Sequence, residues 1–224
     1  MKRQSGFSLL EVAVVLVIMS LVLGGLLLTM GNYQQYQRSS QTRRELAAAR
    51  DALIGFAATR GRLPCPADPG GNGLERTPTA SGCTTGQFGE LPWATLGLPR
   101  WDAWGMPVSY AVSAEFARSA SGGTFASCPP GQPSTAPTNA VFALCSAGTL
   151  GARDITNLVV GQQLPAVFWS GGPNGVGTGP AETENRDGDV DFVADTPTAT
   201  FDDLVEWVPP TVLMNRMVQA GRLP

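Results

Sequence analysis

The stretch Gly6–Met30, reading GFSLLEVAVVLVIMSLVLGGLLLTM, limits the fold more than any other part of the chain. From Val12 to Met30 nineteen residues pass without a charge, close to the about 20 that an α-helix needs to cross the core of a bilayer. The run is too long for the apolar core of an ordinary secretory signal, which covers about 7–15 residues. Lys2 and Arg3 precede it and the next basic residue is Arg38, an asymmetry that keeps the N-terminus cytoplasmic and sends the rest of the chain outward. Glu11 fits neither a signal nor a plain anchor. A charge in an apolar helix costs about 2.5–3.5 kcal/mol near the bilayer centre and less toward its edge, so this carboxylate asks for a functional reason.

Gly6-Phe7-Ser8-Leu9-Leu10-Glu11-Val12, behind a short basic leader and ahead of a continuous apolar helix, resembles the class III signal of the type IV pilin and type II secretion pseudopilin superfamily. The resemblance implies that a prepilin peptidase cuts between Gly6 and Phe7 on the cytoplasmic side and methylates the new amine of Phe7. It further implies that Glu11 meets the N-terminal amine of a neighbouring subunit during assembly. Such a subunit is a single-pass protein of the bacterial inner membrane with a periplasmic head, later drawn into a pilus or pseudopilus. Its partners are the peptidase, other pilin or pseudopilin subunits, the inner-membrane assembly platform and membrane lipid.

The electrostatics of that role are coherent. An ammonium at Phe7 and a carboxylate at Glu11 lie about one turn apart on the same helix. Two subunits packed side by side with an axial shift bring one carboxylate to the next amine. Two costly buried charges then become one hydrogen-bonded pair, which sets register more than it adds stability.

The segments expected are a basic leader at 1–6, a transmembrane and assembly helix at 7–30, an amphipathic extension at 31–60 and an extracytoplasmic α+β head at 61–224. Leu46, Ala49, Leu53, Phe56 and Ala57 recur at helical spacing, so the second half of one helix, from about Phe7 to Thr59, docks on the head. Arg60-Gly61 followed by Pro64 makes the stop. The fold class is a pilin-like one, with a long N-terminal α-helix packed on an antiparallel β-sheet whose long loops are closed by disulfides.

The four cysteines, Cys65, Cys83, Cys128 and Cys145, form an even set in an exported head, for which three pairings exist. Cys65 with Cys83 and Cys128 with Cys145 is favoured, because each pair closes a short loop rich in glycine, proline, serine and threonine. Strand candidates are the tail of Trp101–Val112, Ala140–Leu144, Leu158–Val160, Ala166–Ser170 and Phe201–Val208, with a terminal helix in Thr211–Arg222. Trp101-Asp102-Ala103-Trp104-Gly105-Met106-Pro107 resembles the turn that leads into the pseudopilin sheet, with Ala103 where a proline is usual and Trp104 as a buried corner.

Chemistry is sparse. The chain has no histidine, which removes the commonest general base and most transition-metal sites. Residues 63–224 hold seven basic and fifteen acidic side chains, a net −8, so no nucleic-acid partner is expected. Gly171–Gly177 lacks the lysine of a phosphate-binding loop and reads as a plain turn. The one constellation with a chemical look is the acidic turn with Asp187, Asp189, Asp191 and Asp195, whose hard oxygens suit calcium, as in related pseudopilins; a solvated acidic turn is the competing reading. No other cofactor is expected. A structural, non-enzymatic subunit of the minor type is the reading favoured over a membrane-anchored extracytoplasmic hydrolase or ligand-binding protein that uses the acidic loop.

Overall fold

A computed structural model describes residues 8–119, 128, 139–175, 177, 179–198 and 200–224, the side chains of 23–32 excepted. The chain divides into two units, 1–40 and 41–224. One helix, α1 (Leu9–Arg60), supplies both the first unit and the opening of the second. The second unit therefore opens inside the helix, at Gln41.

In the first unit, Ser8 starts the helix. Its Oγ accepts the Leu10 N–H at 3.2 Å and its carbonyl the Glu11 N–H at 3.0 Å. Among the described residues no helix is both long and apolar enough to cross a membrane. The expected span includes residues 23–30, whose side chains lie outside those described.

In the second unit, α1 buries Thr42, Leu46, Ala49, Leu53, Ile54 and Ala57, one stripe at helical spacing. Phe56 stays half-buried with the Arg62 guanidinium over its ring. Gly61 ends the helix at φ +76, its N–H bonded to the Ala57 carbonyl. A Cβ there would come within 2.1 Å of the Asn139 carbonyl oxygen, so the left-handed turn is also a tight backbone crossing. The Arg222 guanidinium caps the end by donating to the carbonyls of Ala58 and Thr59.

The rest of the head follows as a small hairpin of β1 (Pro78–Thr79) and β2 (Gly82–Cys83), then β3 (Phe88–Glu90), α2 (Trp93–Leu96), β4 (Ser109–Val112) and α3 (Ala114–Ala117). After them come β5 (Leu150–Arg153), β6 (Val159–Leu164), β7 (Ala166–Ser170), α4 (Pro180–Glu184), β8 (Asp191–Val193), β9 (Leu204–Trp207) and α5 (Pro210–Gln219). The central sheet is antiparallel throughout in the order β3-β4-β7-β9. A second sheet, β6-β5-β8, pairs β5 with β6 antiparallel but with β8 parallel.

The head therefore has more than the one antiparallel sheet expected on the helix. Tyr110, Val112, Phe168 and Leu204 face the α1 stripe, while Ala111, Val167 and Trp169 face Leu150, Ala152 and Phe192 of the second sheet. Being covered on both faces explains why all five residues of β7 are buried.

The disulfides join Cys65 to Cys83 and Cys128 to Cys145. Ala140–Leu144 is not a strand: Ala140, Val141, Phe142 and Ala143 are buried in an irregular turn, with Phe142 against Phe116. The Val141 N–H bonds to the Gly61 carbonyl, and the Val141 carbonyl accepts from Arg118, so these backbone groups find partners without a ladder. The expected final strand and terminal helix appear as β9 and α5, with Leu204 and Val208 both buried.

Candidate functional site

Two places hold the residues singled out in the sequence. The first is the start of α1. Gly6 and Phe7 lie outside the described residues. Glu11 is in the first turn and exposed, three residues after Ser8, the spacing of a helix-start capping pair. A carboxylate there is favoured by the helix dipole, which gives Glu11 a local reason to be tolerated. Every large apolar side chain from Leu9 to Val22 is exposed, from 91% at Leu9 to 47% at Val12 and Val15. These side chains point to all sides of the helix. A helix of that kind requires lipid or other helices around it.

The second place is the acidic region after α4. Asp187 and Asp189 come together with Glu184, their carboxylate oxygens within 4.8 Å of one another. Asp191 and Asp195 do not join them. Asp191 turns to the Arg153 guanidinium at 3.7 Å, and Asp195 accepts the backbone N–H groups of Ile155 and Thr196. Those bonds hold the Asp195 carboxyl below its usual range. The turn is built by successive short bonds, Asp187 accepting from the Asp189 N–H at 3.0 Å and Asp189 from the Asp191 N–H at 2.7 Å. Glu184 is paired with Arg153. The four carboxylates expected as a calcium set thus do not converge, because two of them are spent on neighbouring strands and loops.

Beneath this turn lies a buried cluster that sequence reasoning missed, formed by Glu182, Asp202 and Asp203. Glu182 is 2% exposed and accepts bonds from the Asn174 side chain and from the N–H groups of Asp202 and Gly179. Burial works against its charge, but these bonds prevail and its carboxyl sits below the usual range. Asp203, fully buried, is held by Arg186 at 3.0 Å and by Asn185 at 2.9 Å. Asp202 is the strained member. Burial, and then the charges of Glu182 and Asp203, push its carboxyl up to about 6. Its Oδ1 is buried with no bond among the described residues. The cluster ties α4, the turn after β7 and the approach to β9 into one body. Adjacent acids Asp202-Asp203 before a strand were the available signal.

A further acid, Asp102, organises the expected tryptophan corner. Its Oδ1 accepts the N–H groups of Trp104 and Met106 at 2.9 and 2.8 Å, and its Oδ2 accepts from Ser170. Trp104 itself is only partly buried, against the main core.

Residues 1–27 match the family model described as the prokaryotic N-terminal methylation motif. No curated protein and no solved structure compared with the chain gives a match. The chain carries the N-terminal signal of type IV pilins and pseudopilins, and that signal ends well before the head begins.

Proposed function

We propose that a chain with this signal is a structural prepilin-like subunit, a minor pilin or pseudopilin, that is cut between Gly6 and Phe7, methylated on Phe7 and assembled through α1 into a type IV pilus or type II secretion pseudopilus. The observation that carries the reading is the match of residues 1–27 to the methylation motif. The apolar surface of Leu9–Val22, exposed on all sides, supports it, since stored subunits need lipid around that stretch and assembled subunits need each other. Before assembly the subunit resides in the bacterial inner membrane with its head in the periplasm, where disulfides such as Cys65–Cys83 persist.

In this role Glu11 acts by charge. Its carboxylate neutralises the Phe7 amine of a neighbour, and only one axial offset between helices brings the two together. A size-matched Glu11→Gln variant keeps the shape and loses the charge. Such a subunit is processed and methylated normally but fails to enter filaments in cells carrying the assembly machinery. Incorporation at the unaltered level would contradict the assigned role.

A further inference from the structure

Charge is sorted across the second unit. Its helical layer, residues 41–60 of α1 together with residues 209–224 around α5, holds six arginines against two acids, a net +4. Residues 61–208 hold six arginines against fifteen acids, a net −9. The two populations stand apart, because α1 and α5 cover one face of the central sheet and the second sheet covers the other. Arginines outside the helical layer are tied closely to acids, Arg62 to Glu75 at 2.8 Å, Arg76 to Asp68 at 2.7 Å and Arg186 to Asp203 at 3.0 Å. Arg50 meets Asp51 and Glu206 only at 3.7 and 3.8 Å, and pairs that loose leave much of its charge for another partner.

A cleft of about 690 Å³ opens between α1 and α5. Its lining combines Arg50, Asp51 and Arg216 with the apolar Ile54, Ala58 and Val212. Arg216 is exposed, Val212 is 43% exposed, and nothing stands over Gly55. The complement of this cleft lies on the far layer, in the turn after α4. There the exposed Asp187, Asp189 and Asp191 alternate with Gly188 and Val190, and Val190 is 44% exposed. Among the described residues Asp187 and Asp189 accept only backbone N–H groups. Gly188, at φ +84 with open space where a Cβ would be, marks a tip that stands clear of the head. A valine between aspartates matches an apolar floor between arginines.

We infer that the acidic turn of one copy of this chain docks in the α1–α5 cleft of the next, Val190 on Ile54 and Val212, with Asp187 and Asp189 toward Arg50 and Arg216. The inference rests on the reading of the chain as an assembling subunit and names a contact between its heads. A second copy is selected because both halves of the match occur on one chain, on opposite outer layers. Such a head-to-tail contact leaves each copy with a turn or a cleft still open, so it repeats without closing, as a filament requires.

The four native cysteines are consumed in disulfides, so introduced thiols report on the contact alone. Full-length chains with Val190→Cys or Val212→Cys, differently tagged, are produced singly and together in cells carrying the assembly machinery and mildly oxidised. Docking predicts a mixed 190–212 dimer several-fold above either chain alone, and a ladder of dimers, trimers and longer species when one chain carries both cysteines. Arg216→Glu, or Asp189→Arg, should each cut the yield several-fold, while both reversals in one chain restore it. That rescue separates a second copy from any other acidic partner, which would lose its site to Arg216→Glu and not regain it. If a reversal variant does not fold, by circular dichroism and the native disulfides, the cysteine pattern alone decides. Equal linking of each chain with itself, no link above the single chains, or folded reversals without rescue would overturn the inference. N-methylated Phe7 in the same preparation keeps the two readings distinguishable: a processed chain without the 190–212 link sinks the contact alone, and a linked but unprocessed chain sinks the prepilin reading.

Discussion

Between Leu9 and Val22 the large apolar side chains of α1 are exposed without exception, whereas between Leu46 and Ala57 the same helix buries Leu46, Leu53 and Ala57 to 1% or less. Both stretches are helical and both are rich in apolar residues, yet their patterns differ. The first is apolar on every side, so no single face can satisfy it. The second alternates a stripe of leucine and alanine with Arg43, Arg44, Arg50 and Asp51, and its partner is the sheet of its own head. One helix thus serves two environments, and the changeover is written in the spacing of its polar residues.

Truncation at equivalent chemistry should expose this contrast most strongly. Leu53→Ala leaves a cavity in the main core and should lower the stability of the head by about 2–5 kcal/mol. Leu16→Ala, the same change in the exposed stretch, should leave head unfolding within about 0.5 kcal/mol of the parent. Denaturant titration of the two variants, followed by tryptophan fluorescence, provides the comparison; equal losses would mean that the two stretches do not divide their roles in this way.

A smaller effect is expected where the buried stretch ends. Gly61→Ala forces a side chain into a left-handed conformation against the Asn139 carbonyl and should cost about 1–3 kcal/mol. Gly55→Ala, on the same helix with open space at the added methyl, should be neutral or gain up to about 1 kcal/mol. A matching loss at both positions would remove the special status of the helix stop.

The smallest effect concerns the buried acids of the head. The Asp202 carboxyl titrates near 6 in the folded head, above its ordinary value of 3.8, so the folded state holds the proton more tightly. The stabilisation this provides is complete below about pH 4 and is lost as pH rises through 6. Asp202→Asn should therefore stabilise the head at pH 7.5 by on the order of 1–2 kcal/mol, a value reduced for its partial exposure. The gain should shrink toward pH 4. Melting curves across that range check the sign, and destabilisation at pH 7.5 would show that the charged form is the one the fold prefers.

How much of this was legible follows from the physics of each segment. The α1 stripe could be read because a helix facing one core repeats with its own period, and Leu46, Ala49, Leu53 and Ala57 do so. The two cysteine pairs were legible from loop composition. Strand β7 was visible as Ala166–Ser170, but a continuous apolar run does not say what covers its second face, and the second sheet went unseen. Its members explain why. Leu-Gly-Ala-Arg in β5 and Val-Val-Gly-Gln-Gln-Leu in β6 lack a clean alternation, and Asp-Phe-Val in β8 is three residues inside an acidic turn. Ala140–Leu144 erred the other way, since burial in an irregular turn demands the same apolar residues as a strand. For the acids, sequence proximity drew Asp187, Asp189, Asp191 and Asp195 together; the fold keeps Asp187 and Asp189 together, beside Glu184, and also gathers Glu182, Asp202 and Asp203 from positions about twenty residues apart. The N-terminal signal was legible because a motif of this kind is carried by the order of residues along the chain, and residues 1–27 match it.

The central claim, that the exposed stretch of α1 belongs to a processed and assembling subunit, rests on the cut after Gly6. Intact-mass and N-terminal peptide spectrometry on protein purified from cells with active prepilin peptidase tests it most directly. The account predicts a chain that begins at N-methylated Phe7 and lacks residues 1–6. A chain that keeps Met1–Gly6, or that begins at Phe7 without the methyl group, would contradict it.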